Sequence, residues 1–336
     1  MKAIRFEKPG KVDLVELPDP VPGAGWVRIR VRAAAICMTD VEVLRGRHPV
    51  EFPLIPGHEF CGAVDRVGAP ADEAWLGRRV VADNEICCLK CSSCRRGEWR
   101  RCPEFRHIGF GPPGGYSEYV LAPAHNLHPL PDSVSYEQGS ILEPMGVGIA
   151  VAYTSGARIG STCIVMGLGP IGLNCVAALK ASGARRILCL EKQFNRQVMA
   201  KSWGAWAATD DPDRLPPLAR ELHPEGTDIV VEASGHHPLI PLGINLIRFG
   251  GSLVLAGFCK NEPEPIVPDL VQSPNRRILG AGNNAGFIEP AAQAAGDGVL
   301  RTEGMITHRF NLEDFERAFS EDQLRSSDYI KGIFVM

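Results

Sequence analysis

The sequence has no apolar run approaching the ~20 residues that a membrane-spanning helix needs. Its first ten residues, MKAIRFEKPG, put charges where a secretion signal needs an apolar stretch. A basic surplus is also missing: 36 Lys and Arg stand against 39 Asp and Glu, for a net charge of -3. Proteins that neutralise nucleic-acid phosphates carry such a surplus, so neither nucleic acid nor membrane is expected as a partner. The chain contains no internal repeat and no low-complexity segment. These absences lead to the expectation of a soluble, cytoplasmic protein. What is plentiful is cysteine, with 11 in 336 residues. In a reducing compartment disulfides explain such a count poorly, and metal binding becomes the leading explanation.

At about 150 residues per domain the length fits two globular domains, and 45% hydrophobic residues suffice for substantial cores. Up to about residue 145 the texture is β-rich and dense in proline and glycine, with extended runs at Lys2 to Phe6, Val12 to Leu17, Trp26 to Val31, Gly62 to Val67 and Arg79 to Ala82. Beyond it, apolar strands at Thr162 to Met166, Arg186 to Leu190, Asp228 to Val231, Ser252 to Ala256 and Arg277 to Leu279 alternate with helical stretches such as Leu173 to Ser182 and Arg196 to Trp203. That alternation predicts a parallel sheet with crossover helices. One more amphipathic helix is expected near Leu312 to Phe319, before a last strand from Lys331 to Met336.

Between the first of these strands and its helix lies Gly167-Leu168-Gly169-Pro170-Ile171-Gly172, a G-x-G-x-x-G, with Glu191 24 residues after its first glycine. In that context the glycines allow a tight turn and close approach of a pyrophosphate to a helix N-terminus, so Gly167, Gly169, Pro170, Ile171 and Gly172 are expected to hold a dinucleotide. Glu191 can accept hydrogen bonds from the adenosine ribose and repel a 2′-phosphate, which favours NAD over NADP. Arg196 tempers that preference, since an arginine there can pair with a phosphate or stack on adenine; a solvated helix residue is an equal reading.

Cys88, Cys91, Cys94 and Cys102 form C-x2-C-x2-C-x7-C. Four thiolates close a tetrahedral zinc shell and leave no open position, so a structural zinc tying down a lobe at about 87–102 is expected. Cys87 can substitute for Cys88, but only Cys88 preserves the even two-residue gaps. The arginines at 95, 96, 100 and 101 read as a solvated face. Three further segments carry metal-ligand types: Cys37-Met38-Thr39-Asp40, Gly57-His58-Glu59 and Leu142-Glu143-Pro144. Singly, Cys37 is as readily a small core residue, His58 a satisfied histidine on a turn, and Glu143 a helix N-terminal acid.

Together with Gly114-Gly115-Tyr116-Ser117-Glu118-Tyr119 and Ile306-Thr307-His308-Arg309-Phe310, these motifs resemble, in order and spacing over nearly the whole chain, the zinc-dependent medium-chain alcohol dehydrogenase family, in its polyol (sorbitol) and threonine dehydrogenase-like branch. The resemblance implies an α/β architecture. A GroES-like β-rich catalytic domain, residues 1–147 and 285–336, is interrupted by a Rossmann doubly wound parallel-sheet domain, residues 148–284. It implies two zincs per subunit, the catalytic one on Cys37, His58 and Glu59, with Glu143 either a ligand or hydrogen-bonded to the metal water. The implied reaction is reversible transfer of hydride from a secondary alcohol (a polyol, cyclitol, sugar or amino alcohol) to NAD, giving a ketone. Thr39 corresponds to the hydroxyl that passes the alcohol proton on. At the place where many relatives end this relay with histidine the chain has Glu42, readable as a proton acceptor or as a solvated surface acid. A homodimer or homotetramer is implied as well. Two other readings stay open on the residues alone: a zinc-ribbon binding module with an NAD-sensing Rossmann domain, and a zinc-free quinone-type reductase on the same fold.

Overall fold

The alternation expected at Trp26 to Val31 runs on to Ala35. In the computed structural model, which describes residues 1–69, 73–284 and 286–336, strand Trp26–Ala35 buries Val27, Ile29 and Val31 on one face. This strand is the hub of a seven-stranded sheet. One side pairs antiparallel with Lys331–Val335, which carries Ile306–Phe310 in parallel. The other pairs with Glu59–Val67, followed by Arg79–Ala82 and Leu127–Pro129, while Tyr119–Pro123 also lies along the hub strand. The register sets Ala35 between Ile333 and Glu59, so the last strand and the strand beginning at Glu59 reach the same end of the sheet. Ile4, Phe6, Val27, Ile29, Phe60, Tyr116, Phe310 and Phe334 pack the core of this unit. A lobe projects between the short antiparallel pair Glu85–Ile86 and Arg106–His107.

A second unit contains a six-stranded, wholly parallel sheet in the order Ala207–Thr209, Arg186–Leu190, Thr162–Met166, Thr227–Glu232, Ile247–Leu255, Arg277–Gly280. Numbered along the chain this is 3-2-1-4-5-6, the doubly wound order in which the sequence of strands reverses beside Thr162–Met166, where dinucleotides bind in such sheets. The strands Thr162–Met166, Arg186–Leu190 and Thr227–Glu232 in the middle of the sheet bury nearly every side chain, as strands covered on both faces require.

The units are Met1–Glu143 with Ile288–Asp297 and Met305–Met336, and Pro144–Phe287 with Gly298–Gly304. They differ from the expected division at residues 144–147, 286–287 and 298–304; the boundary residue 285 lies outside the described residues. Two local features depart from the sequence reading. The helix expected near Leu312 to Phe319 opens as a 3-10 turn, Leu312–Asp314, started by a capping box in which the Asp314 carboxylate accepts from Asn311 N–H at 3.0 Å, and continues as the short helix Phe315–Ala318. The helix Leu215–Leu222 was hidden by Pro216 and Pro217, which sit in its first turn, where no backbone N–H is needed.

Candidate functional site

Cys37 caps the helix Met38–Leu44, and His58 and Glu59 open the strand Glu59–Val67. The pairing of Ala35 with Glu59 brings these segments together, and one ligand atom each from Cys37, His58 and Glu59 lies within 4.8 Å of the others. A thiol, an imidazole and a carboxylate converging among buried residues suit a zinc that keeps one position open, and a dication would offset the buried charge of Glu59 and the charge of a Cys37 thiolate.

Around these three residues stands a shell that sequence reasoning did not assign. Asp40, fully buried, accepts from Tyr116 Oη at 2.5 Å and from the Cys37 N–H at 3.2 Å, and its Oδ1 lies 3.4 Å from His58 Nδ1. Burial alone would raise the Asp40 carboxyl, but His58, Tyr116 and the Cys37 amide outweigh it and hold it below the usual range. An acid beside Nδ1 orients the imidazole and leaves its other nitrogen for a ligand role. Lys331 Nζ lies 2.7 Å from the Glu59 carboxylate. Burial disfavours the ammonium, yet Glu59 and then Cys37 raise Lys331 above its ordinary value.

Glu143, at the start of helix Leu142–Ser155, is not among the three convergent ligands. It stands next to them, however. Asn84 Nδ2 donates to its carboxylate at 3.4 Å and to the His58 carbonyl at 3.2 Å. With no metal ion, burial pushes Glu143 up to about 7, with His58 and Lys331 opposing and Glu59 adding. Thr39 lies on the same helix as Asp40, its hydroxyl 3.5 Å from Cys37 Sγ. Glu42 is no solvated surface acid: it is 6% exposed, with Arg45 Nη1 at 2.7 Å and Arg47 Nη1 at 3.5 Å.

In the projecting lobe the ligand atoms of Cys88, Cys91, Cys94 and Cys102 all lie within 4.8 Å of one another. Backbone amides point at the sulfurs, Cys88 N at Cys102 Sγ, Cys91 N at Cys88 Sγ and Cys94 N at Cys91 Sγ, each at 3.4 Å. Such donors favour thiolates, and the Lys90 and Cys91 amides bring Cys88 down to about 7. Cys87 turns aside, 3.5 Å from the Trp99 carbonyl.

The three glycines of the dinucleotide motif have separate reasons. Gly167 has φ +89°, and a Cβ there would fall 2.7 Å from Ser234; one at Gly172 would fall 1.9 Å from the Gly167 carbonyl. Gly169 caps helix Pro170–Ala181 with open space where its Cβ would be, room for a ligand to approach the amides. Ile171, in the first turn, leads into this helix. Glu191 Oε2 accepts from Leu168 N at 2.7 Å and its Oε1 from Gln193 N at 2.9 Å, so the acid is clamped against the glycine turn. Arg196 is half-buried in the first turn of helix Phe194–Ser202.

No helix among the described residues is long and apolar enough to cross a membrane. Residues 23–132 match the model of the alcohol dehydrogenase GroES-like domain, and residues 170–293 that of the zinc-binding dehydrogenases. The chain is 31% identical to L-threonine 3-dehydrogenase of Bacillus subtilis, covering 96% of this chain and 94% of that protein. It is 28% identical to the sorbitol dehydrogenase of the same organism, covering 95% and 92%. Among solved structures, the RspB alcohol dehydrogenase of Escherichia coli CFT073 complexed with NADH superposes with a TM-score of 0.94 at 27% identity, covering 100% of this chain and 99% of the other. A zinc-binding dehydrogenase of Sinorhizobium meliloti 1021 bound to NADP does so with 0.93 at 28%, also covering 100% and 99%. The GroES-like and Rossmann-like parts, the convergent zinc ligands and these relatives give one answer: the chain belongs to the zinc-dependent medium-chain alcohol dehydrogenases, oxidoreductases acting on CH–OH, in their polyol dehydrogenase-like branch.

Proposed function

We propose that this enzyme oxidises a secondary alcohol bearing a neighbouring hydroxyl or amine, a polyol, cyclitol, sugar or amino alcohol, using NAD in preference to NADP. The observation that carries the reading is the convergence of Cys37, His58 and Glu59 within 4.8 Å, with Glu143 held beside them by Asn84. Zinc there supplies a Lewis acid that lowers the pKa of the substrate alcohol, and NAD accepts the hydride. The protein's own part is positional. Asp40 fixes the His58 ring, Lys331 balances Glu59, and Thr39, beside Cys37, takes the alcohol proton. Glu42, already held by two guanidinium groups, is at most an accessory to that relay. Cys88, Cys91, Cys94 and Cys102 hold a second, structural zinc.

The cofactor would lie on Gly167, Gly169, Pro170, Ile171 and Gly172, with Glu191 on the ribose and Arg196 near the adenine side. The catalytic domain is assigned to residues 1–147 and 285–336 and the dinucleotide domain to 148–284, in a cytoplasmic homodimer or homotetramer. The decisive experiment is a screen for NADH formation by the zinc-loaded protein over polyols, sugars, cyclitols and amino alcohols. Turnover confined to simple primary alcohols, or equal kcat/KM with NAD and NADP, would contradict the proposal.

A further inference from the structure

Beside His58 the first unit holds three imidazoles on one phenyl ring. Phe110 stacks on His48 (centroids 5.3 Å, 27° between planes), meets His58 at 5.0 Å and His107 at 4.8 Å, and His107 in turn meets His58 edge-on at 5.6 Å. The placement is built in. A Cβ on Gly109 would come 3.1 Å from the Gly57 backbone and 3.2 Å from His58 N, so the 107–110 loop lies directly over the Gly57-His58 turn. The other end of the loop is anchored by the Glu85–Ile86 and Arg106–His107 pair at the base of the four-cysteine lobe.

Neither His48 nor His107 belongs to the convergent ligand set. His107 has a defined chemistry all the same. Its Nδ1 is 2.9 Å from the Ile108 carbonyl. A carbonyl only accepts, so Nδ1 carries the proton and Nε2 presents a bare lone pair. Among the described residues Nε2 has no hydrogen-bond partner, and it is not sealed from solvent.

We infer that His107 is a specificity-determining residue: its Nε2 accepts a hydrogen bond from a second hydroxyl of the substrate, next to the carbon that is oxidised, while Phe110 and His48 supply the apolar wall for the carbon chain. The His107 ring lies beside the ligand His58, with centroids 5.6 Å apart, so a substrate held at the ligand cluster has this imidazole next to it, and a neutral acceptor suits a hydroxyl donor better than an alkyl group. A site built to bond a hydroxyl rejects the analogue lacking it more strongly than it rejects a missing methylene. The inference rests on the alcohol dehydrogenase reading and adds to it the residue that reads the neighbouring hydroxyl.

The test uses two substrates that differ by one hydroxyl, butane-2,3-diol and butan-2-ol, with NAD and the zinc-loaded enzyme. The readout is the ratio of their kcat/KM values, with zinc content measured for each variant. His107→Val should lower the ratio about tenfold, the range for losing one substrate hydrogen bond, and His107→Gln, which retains an acceptor, should restore part of it. A ratio that His107→Val leaves unchanged, or one that His107→Gln fails to restore at full zinc content, overturns the inference while leaving the dehydrogenase reading intact. If the wild type oxidises neither these two alcohols nor any polyol, the dehydrogenase reading falls, and the role of His107 with it.

Discussion

The Lys331 ammonium lies 2.7 Å from the Glu59 carboxylate, both side chains under 5% exposed, although 272 residues separate them in sequence. A buried pair of this kind adds little over an apolar pair, but breaking it leaves a charge uncompensated. Lys331→Met should therefore cost about 3–5 kcal/mol in chelator-treated protein. With zinc bound the loss should be smaller, because the metal supplies a second counter-charge to Glu59. Denaturant unfolding with and without chelator measures both, and equal losses would separate Glu59 from the metal.

The four-cysteine lobe contains one residue in a costly conformation. Leu89, between the first two ligands, has φ 56° and is 52% exposed. It gains little from packing and lies in the left-handed region that disfavours side chains. Leu89→Gly should stabilise the lobe by about 1 kcal/mol and slow loss of its zinc to a chelator, less any flexibility that glycine adds to the unfolded chain. Cys91→Ser should do the reverse, lowering Tm with loss of one metal, whereas Cys37→Ser should abolish turnover with the fold retained. Elemental analysis giving one zinc per chain in fully loaded wild type would contradict two separate sites.

Local features were legible in the sequence, and distant ones were not. The glycine turn could be read because Gly167, Gly169, Gly172 and Glu191 act within one strand-turn-helix-strand unit, where spacing dictates geometry. The four thiols could be read for the same reason. Cys37, His58 and Glu59 meet only through the register of two strands, and only a family resemblance joined them beforehand. Asp40 was visible within its motif, but nothing local announced Tyr116 as its partner 76 residues away. Glu42 shows the limit from the other side. A lone acid in a sequence reads as solvated, and its burial becomes apparent only once Arg45 and Arg47 are seen on either side of it.

Cofactor choice should follow Glu191. Its carboxylate is clamped by the Leu168 and Gln193 amides, so it cannot easily swing away from a 2′-phosphate. Glu191→Ser removes the charge and both hydrogen bonds. The ratio of kcat/KM for NAD over NADP should fall by at least tenfold, chiefly through KM, with Arg196 remaining to meet the phosphate. A variant that keeps the wild-type ratio would place cofactor discrimination elsewhere.

Glu143 offers a pH test that separates the metal-free from the loaded protein. Without metal, burial raises its carboxyl from 4.5 to about 7. The folded state then holds a proton that the unfolded chain releases, so this contribution to stability is complete below about 4.5 and is lost as pH rises through about 7. His58, raised by Asp40 and Cys37 against the effect of burial, adds a loss of the same sign, but only above its ordinary value of 6.5. Between 4.5 and 6.5 His58 is silent, but His107, which burial lowers to about 3, contributes stability that rises with pH over the same interval, so the Glu143 contribution is read as the difference between wild type and Glu143→Gln. Across that interval the Tm of chelated wild type should fall relative to that of Glu143→Gln, which cannot ionise and keeps the other titrations. Zinc should remove the difference, because a neighbouring dication favours the carboxylate and returns its titration to low pH. In the loaded enzyme Glu143→Gln should keep both metals yet turn over more slowly, since the amide retains the bond from Asn84 but brings no negative charge to the site. If the Tm values of chelated wild type and Glu143→Gln run parallel between pH 4.5 and 6.5, Glu143 is only the first acid of a helix, and its place in the metal site is lost.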